Sequence, residues 1–246
     1  MEHAGTGVVE AMEHAYGPLI NKRVVIICGK GNNGGDGFVV ARLLRRKRAR
    51  PSVLLLTRAK DLQGDAARMY RRFVAASWAA SVQANPNTDS IRSQLQSADL
   101  VVDALLGTGL SSPVSGVYET AIDLLNDISA EKPCPVVAVD LPSGIHADTG
   151  AVLGTAVRAS LTVTFGLPKI GLYLGEGIDH AGQVRIFDIG IPRSYADSIE
   201  SRISLITSEH VRRLLPRRLP SAHKGTYGHA AIIAGSIGKS GAAAMA

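Results

Sequence analysis

The sequence predicts an α/β protein, a three-layer α/β/α Rossmann-like sandwich with a mostly parallel sheet. Six short apolar segments, rich in β-branched residues, recur between residues 23 and 190. Most are continuously apolar rather than alternating, which is typical of strands buried on both faces of a parallel sheet. Segments with helical spacing separate the first four, so successive strands would run parallel through helical crossovers.

Each predicted element follows from this pattern in chain order. The predicted strands occupy residues 23–28, 51–57, 98–107, 135–144, 159–169 and 182–190. The predicted helices between the first four strands occupy residues 38–48, 64–77 and 118–129. The first helix is expected to begin near Gly37, where the glycine-rich stretch GKGNNGGDG ends.

Composition favours a globular protein of the cytoplasm. The chain has 246 residues, of which 46% are hydrophobic and 20% charged, so extensive disorder is not expected. Basic residues at 42–50 contribute to a net charge of +6, but a solvated helix terminus explains them better than nucleic-acid binding, because aromatic residues make up only 4%. Two cysteines without CxxC spacing predict neither a disulfide framework nor a zinc site. No apolar run approaches the roughly 18 residues of a membrane span.

The character of the sequence changes near residue 206. Residues 208–228 contain two prolines and no strand pattern, which predicts a short helix followed by a linker. Residues 229–246 then predict a new strand, a glycine loop and the first turns of a helix. The expected organisation is one domain over 1–205, a linker over 206–228, and the truncated beginning of a second domain over 229–246.

Polar residues follow several predicted strands. The first strand leads into the glycine-rich segment 29–37, the third into Asp103, and the fourth into Asp140 and Ser143. Ligands of open α/β sheets bind at this edge, and a helix amino terminus there could face an anion. The glycine spacing fits neither the GxGxxG dinucleotide fingerprint nor a P-loop. A tight strand-to-helix turn with Asp36 as N-cap is the simpler alternative.

The oxygen-bearing side chains at these strand ends indicate a hard cation. Asn33 and Ser143 would supply neutral oxygens, and Asp103 and Asp140 would supply carboxylates, a combination that suits a hard cation. With so few carboxylates, a monovalent cation and magnesium are both open alternatives. Asp103 and Asp140 could instead be simple turn caps. Ser143 lies in PSG rather than in GxSxG, which counts against a hydrolase triad.

Six motifs together resemble one known family. They are MEHAG, GKGNNGGDGFVVARLL, VVDALLGTGL, VVAVDLPSGIHADTG, TVTFGLPKIGLYLGEG and GQVRIFDIGIP, in this order over about residues 1–205. They are similar to the motifs of the NAD(P)H-hydrate epimerase family. The tail HKGTYGHAAIIAGSIGKSGAAAMA resembles the start of the ribokinase-like, ADP- or ATP-dependent NAD(P)H-hydrate dehydratase domain, which follows the epimerase domain in bifunctional members. Family members carry roughly one further helix before MEHAG, so a misplaced start or a fragment is expected.

The resemblance implies repair of damaged nicotinamide cofactors. The substrates would be hydrated NADH and NADPH (NADHX and NADPHX), and an isomerase reaction assisted by potassium would interconvert their R and S epimers. No nucleic acid or membrane partner is implied. Dehydratase (lyase) activity is expected only of a complete bifunctional chain. The sequence does not decide between NADH and NADPH hydrates, and it does not determine the oligomeric state. A homo-oligomer is compatible with it.

The resemblance also implies roles for individual residues. Asp140 would perform the acid–base chemistry, and Lys169 would steady charge on the substrate. Asn33, Asp103 and Ser143 would bind potassium. The implied substrate-binding residues are Asn32, Asn33, Gly34, Gly35, Asp36, Gly107, Thr108, Gly109, Leu110, Ser111, Ser112, Pro113, Tyr118 and Asp140.

Two other classes of function are open alternatives. One is a different nucleotide-dependent enzyme, a kinase or a dehydrogenase, although the missing GxGxxG and ribose-binding acid count against it. The other is a non-catalytic binding module. The presence of Asp36, Asp103, Asp140 and Lys169 makes a dead site the poorer explanation. Stabilisation by NADH, NADPH, ATP or hydrated NADPH would separate the alternatives.

Overall fold

The computed structural model describes residues 1–192, 194–195, 198, 203–215 and 217–245. The chain forms two compact units, Met1–Ser198 and Ile199–Ala246. The first unit contains the whole sheet and the residues of the candidate site. None of the described helices combines the length and the apolar character that are needed to cross a membrane.

One parallel sheet forms the centre of the first unit. Its strands are β1 Arg23–Cys28, β2 Arg50–Leu55, β3 Val82–Ala84, β4 Leu100–Ala104, β5 Val136–Val139, β6 Leu161–Phe165 and β7 Gln183–Phe187. They lie in the order β3-β2-β1-β4-β5-β6-β7, and every neighbouring pair is parallel. The strand order reverses between β1 and β4, which is the position where such sheets bind ligands. The predicted Rossmann-like fold is confirmed.

Helices cover both faces of this sheet. In the first unit they are α1 Glu2–Tyr16, α2 Asn32–Arg46, α3 Gly64–Phe73, α4 Thr88–Ser97, α5 Val117–Glu131 and α6 Gly177–Ala181. Along β1, Val24 and Ile26 pack in one core with α1, α2 and α3, whereas Val25 and Ile27 pack in another with α4 and α5. This alternation follows from the two-residue period of a strand. Burial on both faces explains why the strands are continuously apolar.

Helix α2 begins earlier than its sequence pattern predicts. Its N-cap is Gly31, and Asn32 is its first residue, so the predicted start near Gly37 is wrong. The alternative in which Asp36 caps the helix is also wrong, because Asp36 lies in the second turn. A Cβ atom at Gly34 would lie 2.0 Å from the carbonyl oxygen of Gly29. The glycines therefore do not form a loop: they let the first turns of α2 pack against the end of β1.

Several elements have no clear sequence signal. The sequence pattern did not predict α1, α4 or the three-residue edge strand β3. The predicted helix 64–77 ends as an α-helix at Phe73 and continues as a π-helical turn over Val74–Trp78. A short, partly exposed strand and a polar surface helix bury few apolar residues, so their patterns are weak.

The second unit has little regular structure. Helix α7, Ser208–Leu214, agrees with the predicted short helix, and helix α8 covers Gly241–Met245. The strand predicted at the start of 229–246 is not observed, since residues 229–236 have no strand assignment. Ile233 is 98% exposed. A strand needs neighbours to pair with and a core to pack on, and these residues have neither in this unit.

Candidate functional site

A cleft of about 690 Å³ lies where β1, β4 and β5 end. It is lined by residues that follow these three strands, together with one residue of α5. The lining residues are Lys30, Gly31, Asn32, Asn33, Asp36, Leu105, Leu106, Gly107, Thr108, Gly109, Leu110, Ser111, Ser112, Tyr118 and Asp140. Most of the predicted substrate-binding residues are thus brought together on one cleft.

Three of the predicted substrate-binding residues lie outside the lining: Gly34, Gly35 and Pro113. Gly34 packs against the backbone of Gly29, and a Cβ atom at Gly35 would lie 3.1 Å from the Cα atom of Ala66 in α3. The structure therefore places both glycines at packing contacts between α2 and its neighbours. Pro113 is exposed and follows the last lining residue of the loop after β4.

Beneath the cleft, Asp103 and Ser143 form a fully buried polar pair. The Ser143 hydroxyl donates to Asp103 Oδ1 at 2.6 Å, and the Ser143 backbone N–H donates to Oδ2 at 2.8 Å. The backbone N–H of Leu105 also donates to Oδ1, at 3.2 Å. Burial raises the pKa of Asp103 to about 6, although these three hydrogen bonds oppose the shift. Within the described residues no basic side chain forms an ion pair with Asp103.

Asn33 joins this pair through the backbone of Leu106. Its Nδ2 donates to the Leu106 carbonyl oxygen at 2.8 Å, and the Leu106 N–H donates to Ser143 Oγ at 2.9 Å. Asn33 is only 8% exposed, and its Oδ1 has no hydrogen-bond partner among the described residues. A buried acceptor without a donor is costly unless another group satisfies it. The three residues predicted to bind a cation thus meet around Leu106, with one oxygen unsatisfied.

Asp140 lies at the end of β5 in an unusual backbone conformation. Its φ of 69° is in the left-handed region, and its Oδ1 forms an ion pair with Lys169 Nζ at 2.7 Å. Thr164 Oγ1 and the Phe165 N–H donate to the same oxygen at 3.1 and 3.3 Å. Lys169 also donates to the Phe165 carbonyl oxygen, at 2.8 Å. Residues of β6 therefore fix the orientation of the carboxylate at the cleft.

Asp36 provides a second carboxylate in the cleft. Burial raises its pKa to about 7, and the neighbouring carboxylate of Asp140 acts in the same direction, whereas the Met1 α-amine, 3.8 Å from Oδ1, opposes the shift. Its Oδ1 accepts no hydrogen bond within the described part of the chain. The cleft therefore contains two acids in different environments, one paired with Lys169 and one largely desolvated.

Asp36→Asn is expected to change how stability depends on pH. In the folded protein the Asp36 carboxyl keeps its proton up to about pH 7, whereas in the unfolded chain it loses the proton near pH 3.8. The stability that this carboxyl contributes is therefore fully present below pH 3.8 and is lost as the pH rises to 7. Between pH 5 and pH 8, the free energy of unfolding of the variant, measured with urea, should therefore rise by about 2–3 kcal/mol relative to that of wild type. Asp103 titrates in both proteins, so its contribution cancels from the difference between them. An exposed control, Asp127→Asn, should show no such gain, and parallel curves for Asp36→Asn and wild type would contradict the assignment.

Sequence reasoning missed Leu106 and Thr164 as contributors to the site. Leu106 acts through its backbone N–H and carbonyl groups, which have no side-chain signature. Thr164 lies inside a strand, where a β-branched residue is expected in any case. Tyr118 was predicted, and its hydroxyl accepts a hydrogen bond from the Lys30 N–H at 3.3 Å, which joins α5 to the segment after β1.

The chain is similar to proteins of one family. A family model described as YjeF-related protein N-terminus matches residues 1–171. The bifunctional NAD(P)H-hydrate repair enzyme of Moorella thermoacetica is 41% identical, over 100% of this chain and 46% of the relative. The NAD(P)H-hydrate epimerase of Limosilactobacillus fermentum is 40% identical, over 76% of this chain and 84% of the relative.

A solved structure agrees with the fold. The yeast protein YNL200c superposes with a TM-score of 0.63 at 22% identity, over 85% of this chain and 86% of that one. The chain spans about half the length of the bifunctional relatives that it matches. The family model covers 171 of its 246 residues and the epimerase relative is covered over most of its length, so the resemblance found in the motifs is confirmed. The chain belongs to the family of YjeF-related N-terminal domains, and NAD(P)H-hydrate epimerases are among its relatives.

Proposed function

We propose that the first unit interconverts the R and S epimers of hydrated NADH and NADPH. The observation that carries the proposal is the Asp140–Lys169 pair, which brings an oriented carboxylate to a cleft lined by the family's motifs. Within the described residues, every hydrogen bond to this carboxylate goes to Oδ1. Oδ2 is therefore available to a substrate group.

The proposed chemistry needs no change of oxidation state. The carbon that is epimerised carries both the ring nitrogen and a hydroxyl group, so it can invert by reversible loss of water or by ring opening. Either route requires a group that transfers a proton and a group that stabilises charge. We assign proton transfer to Asp140 and charge stabilisation to Lys169, whose Nζ lies 2.7 Å from Asp140 Oδ1.

We propose that the cleft binds the hydrated dinucleotide along α2 and the loop after β4. Its volume of about 690 Å³ is within the range of small-molecule sites, roughly 300–1,000 Å³. The first intrahelical N–H bond of α2 is from Gly35 to Gly31, so the N–H groups before Gly35 lie outside the ladder, where they can face a phosphate. Asp36 would accept hydrogen bonds from substrate hydroxyls, and residues 107–113 would also contact the substrate.

A potassium ion fits the residues beneath the cleft. Asn33 Oδ1 lacks a partner, Ser143 Oγ is a neutral oxygen, and Asp103 is a buried carboxylate that forms no ion pair within the described residues. One carboxylate with neutral oxygens is a ligand set for a hard cation, and the family resemblance implies that this cation is potassium. When bound, the ion would supply a positive charge that offsets the cost of burying the ionised Asp103. Asn33, Asp103 and Ser143 would hold it, with Leu106 orienting Asn33 and Ser143.

The second unit supports a narrower proposal. We propose that residues 206–228 are a linker and that residues 229–246 are the beginning of a dehydratase domain. The support is the similarity to bifunctional repair enzymes across 100% of this chain. The dehydratase activity is proposed only for complete bifunctional proteins.

Exchange of the epimers tests the main proposal. Purified R-hydrate of NADPH, incubated with the protein and KCl, is expected to equilibrate with the S form far faster than in buffer, as chromatography or NMR would show. Replacing KCl with choline chloride at equal ionic strength should slow the exchange. No exchange by folded protein in either salt would refute the epimerase assignment, and equal rates in both would refute the role of potassium.

A further inference from the structure

We infer that Asn126, on helix α5, is a positioning residue that holds Ser143 in place beneath the cleft. This inference rests on the proposed potassium site, of which Ser143 is one member. Asn126 itself does not line the cleft and contacts neither Asp103 nor Asn33 through a hydrogen bond. It acts through residues 153–158, a segment that is hydrogen-bonded to α5 on one side and to the turn containing Ser143 on the other.

The side-chain amide of Asn126 forms hydrogen bonds with the backbone of this segment, as the backbone of a neighbouring β-strand would. Its Nδ2 donates to the carbonyl oxygen of Ala156 at 2.9 Å, and its Oδ1 accepts from the N–H of Arg158 at 3.0 Å. One amide side chain thus satisfies a backbone acceptor and a backbone donor two residues apart. A second attachment lies one turn earlier on α5, where Thr155 Oγ1 donates to Asp123 Oδ1 at 2.7 Å.

The other edge of the segment binds the turn after β5. The Val157 N–H donates to the Ser143 carbonyl oxygen at 2.8 Å, and the Leu153 N–H donates to that of Gly144 at 2.9 Å. A Cβ atom at Gly144, whose φ is 102°, would lie 2.0 Å from the Thr155 carbonyl oxygen. The two backbones are therefore in direct contact, and the turn cannot move towards α5 unless the segment moves with it.

The position of this segment determines the orientation of Ser143. The Ser143 carbonyl oxygen is bound by Val157, while its N–H and hydroxyl donate to the two oxygens of Asp103. Displacement of Ser143 together with this segment would lengthen its bonds to Asp103 and would move Ser143 Oγ away from the Leu106 N–H. The geometry therefore links Asn126 to Ser143 through two successive sets of hydrogen bonds, the first from the Asn126 side chain to the segment and the second from the backbone of the segment to the turn.

Two substitutions test this role. Asn126→Ala removes both hydrogen bonds, whereas Asn126→Asp keeps the acceptor for the Arg158 N–H and loses the donor to Ala156. Asp127→Ala, at the exposed next position of α5, is the control. Each protein is titrated with KCl against choline chloride at constant ionic strength, and the KCl concentration that gives half of the maximal rise in Tm is measured.

We expect the half-saturating KCl concentration to rise about threefold to tenfold in Asn126→Ala, less in Asn126→Asp, and to stay within about twofold of wild type in Asp127→Ala. A merely structural residue would lower Tm at every KCl concentration and leave the half-saturating concentration unchanged. That result in either folded Asn126 variant would overturn the inference. A wild-type Tm that does not respond to KCl would overturn the potassium site and this inference together. Epimer exchange by wild type tests the epimerase assignment separately.

Discussion

Asp140→Asn is expected to lower kcat for epimer exchange by about 10²- to 10⁴-fold, the usual contribution of a positioned acid–base group. Asparagine has nearly the same shape, but its amide cannot take up and return a proton at neutral pH. Because the substrate contacts of the cleft remain, KM should change by less than about threefold. Rapid-mixing or discontinuous assays of R-to-S exchange would measure both constants.

The backbone at position 140 makes asparagine a clean replacement. A φ of 69° is unfavourable for most side chains, but asparagine and aspartate tolerate this region better than other residues. An alanine there would add backbone strain to the loss of the carboxylate. Asp148→Asn, in the exposed part of the following loop, is the matched control and should retain wild-type turnover. Unchanged turnover in Asp140→Asn would remove Asp140 from the chemistry, whereas weaker binding at unchanged kcat would make it a substrate contact only.

Gly34→Ala is expected to destabilise the first unit by more than about 3 kcal/mol, or to prevent folding. The added Cβ atom would lie 2.0 Å from the carbonyl oxygen of Gly29, which is backbone and cannot rotate away. The Cβ atom would also lie only 2.9 Å from the Gly29 carbonyl carbon. Relieving these two contacts requires α2 to move away from the end of β1. For a unit of this size the Tm should fall by roughly 10 °C.

Gly31→Ala is a control three residues away on the same segment. A Cβ atom at Gly31 meets nothing within 4 Å, and the φ of −90° suits any residue. Its free energy of unfolding should therefore change by no more than about 1 kcal/mol, which is the usual difference between glycine and alanine at an N-cap. Equal stability of the two variants in urea unfolding would show that α2 can shift without cost, contrary to the packing described above.

The sheet was predictable because its strands are buried on both faces. That burial requires continuous apolar runs, and all six strands predicted between residues 23 and 190 are present. Their ends were less predictable: the fourth predicted strand extended to residue 144, but the observed strand ends at Val139. Asp140 then adopts a positive φ, which takes the chain out of the sheet. The missed helix α1 contains Gly5 and Gly7, which weaken its helical signal although its buried face includes Val8 and Met12.

The assembly of the site was predictable only in part. The rule that parallel strands present their carboxyl ends at one edge correctly indicated that Asn33, Asp103 and Ser143 would lie close together. It could not show that Leu106 joins them, because the bonds are made by backbone groups. It also could not separate glycines that line the cleft, such as Gly31, from glycines that pack α2 against β1, such as Gly34. Both kinds look alike in GKGNNGGDG, and only the distances to neighbouring backbone distinguish them.

The close packing of α2 has a consequence for protein engineering. Helix α2 forms one wall of the cleft, and three of its glycines lie behind that wall, where an added side chain would meet neighbouring atoms: the backbone of Gly29 at Gly34, the Cα atom of Ala66 at Gly35, and the side chains of Cys28 and Ala104 at Gly37. A mutant library placed at these three positions is therefore expected to yield mostly destabilised proteins. Residues 107–112, which also line the cleft, form a loop whose polar members Thr108, Ser111 and Ser112 are exposed, and a Cβ atom at Gly109 meets nothing within 4 Å. Changes in ligand preference, by laboratory evolution or by natural divergence, should therefore accumulate in this loop while the helical wall stays constant.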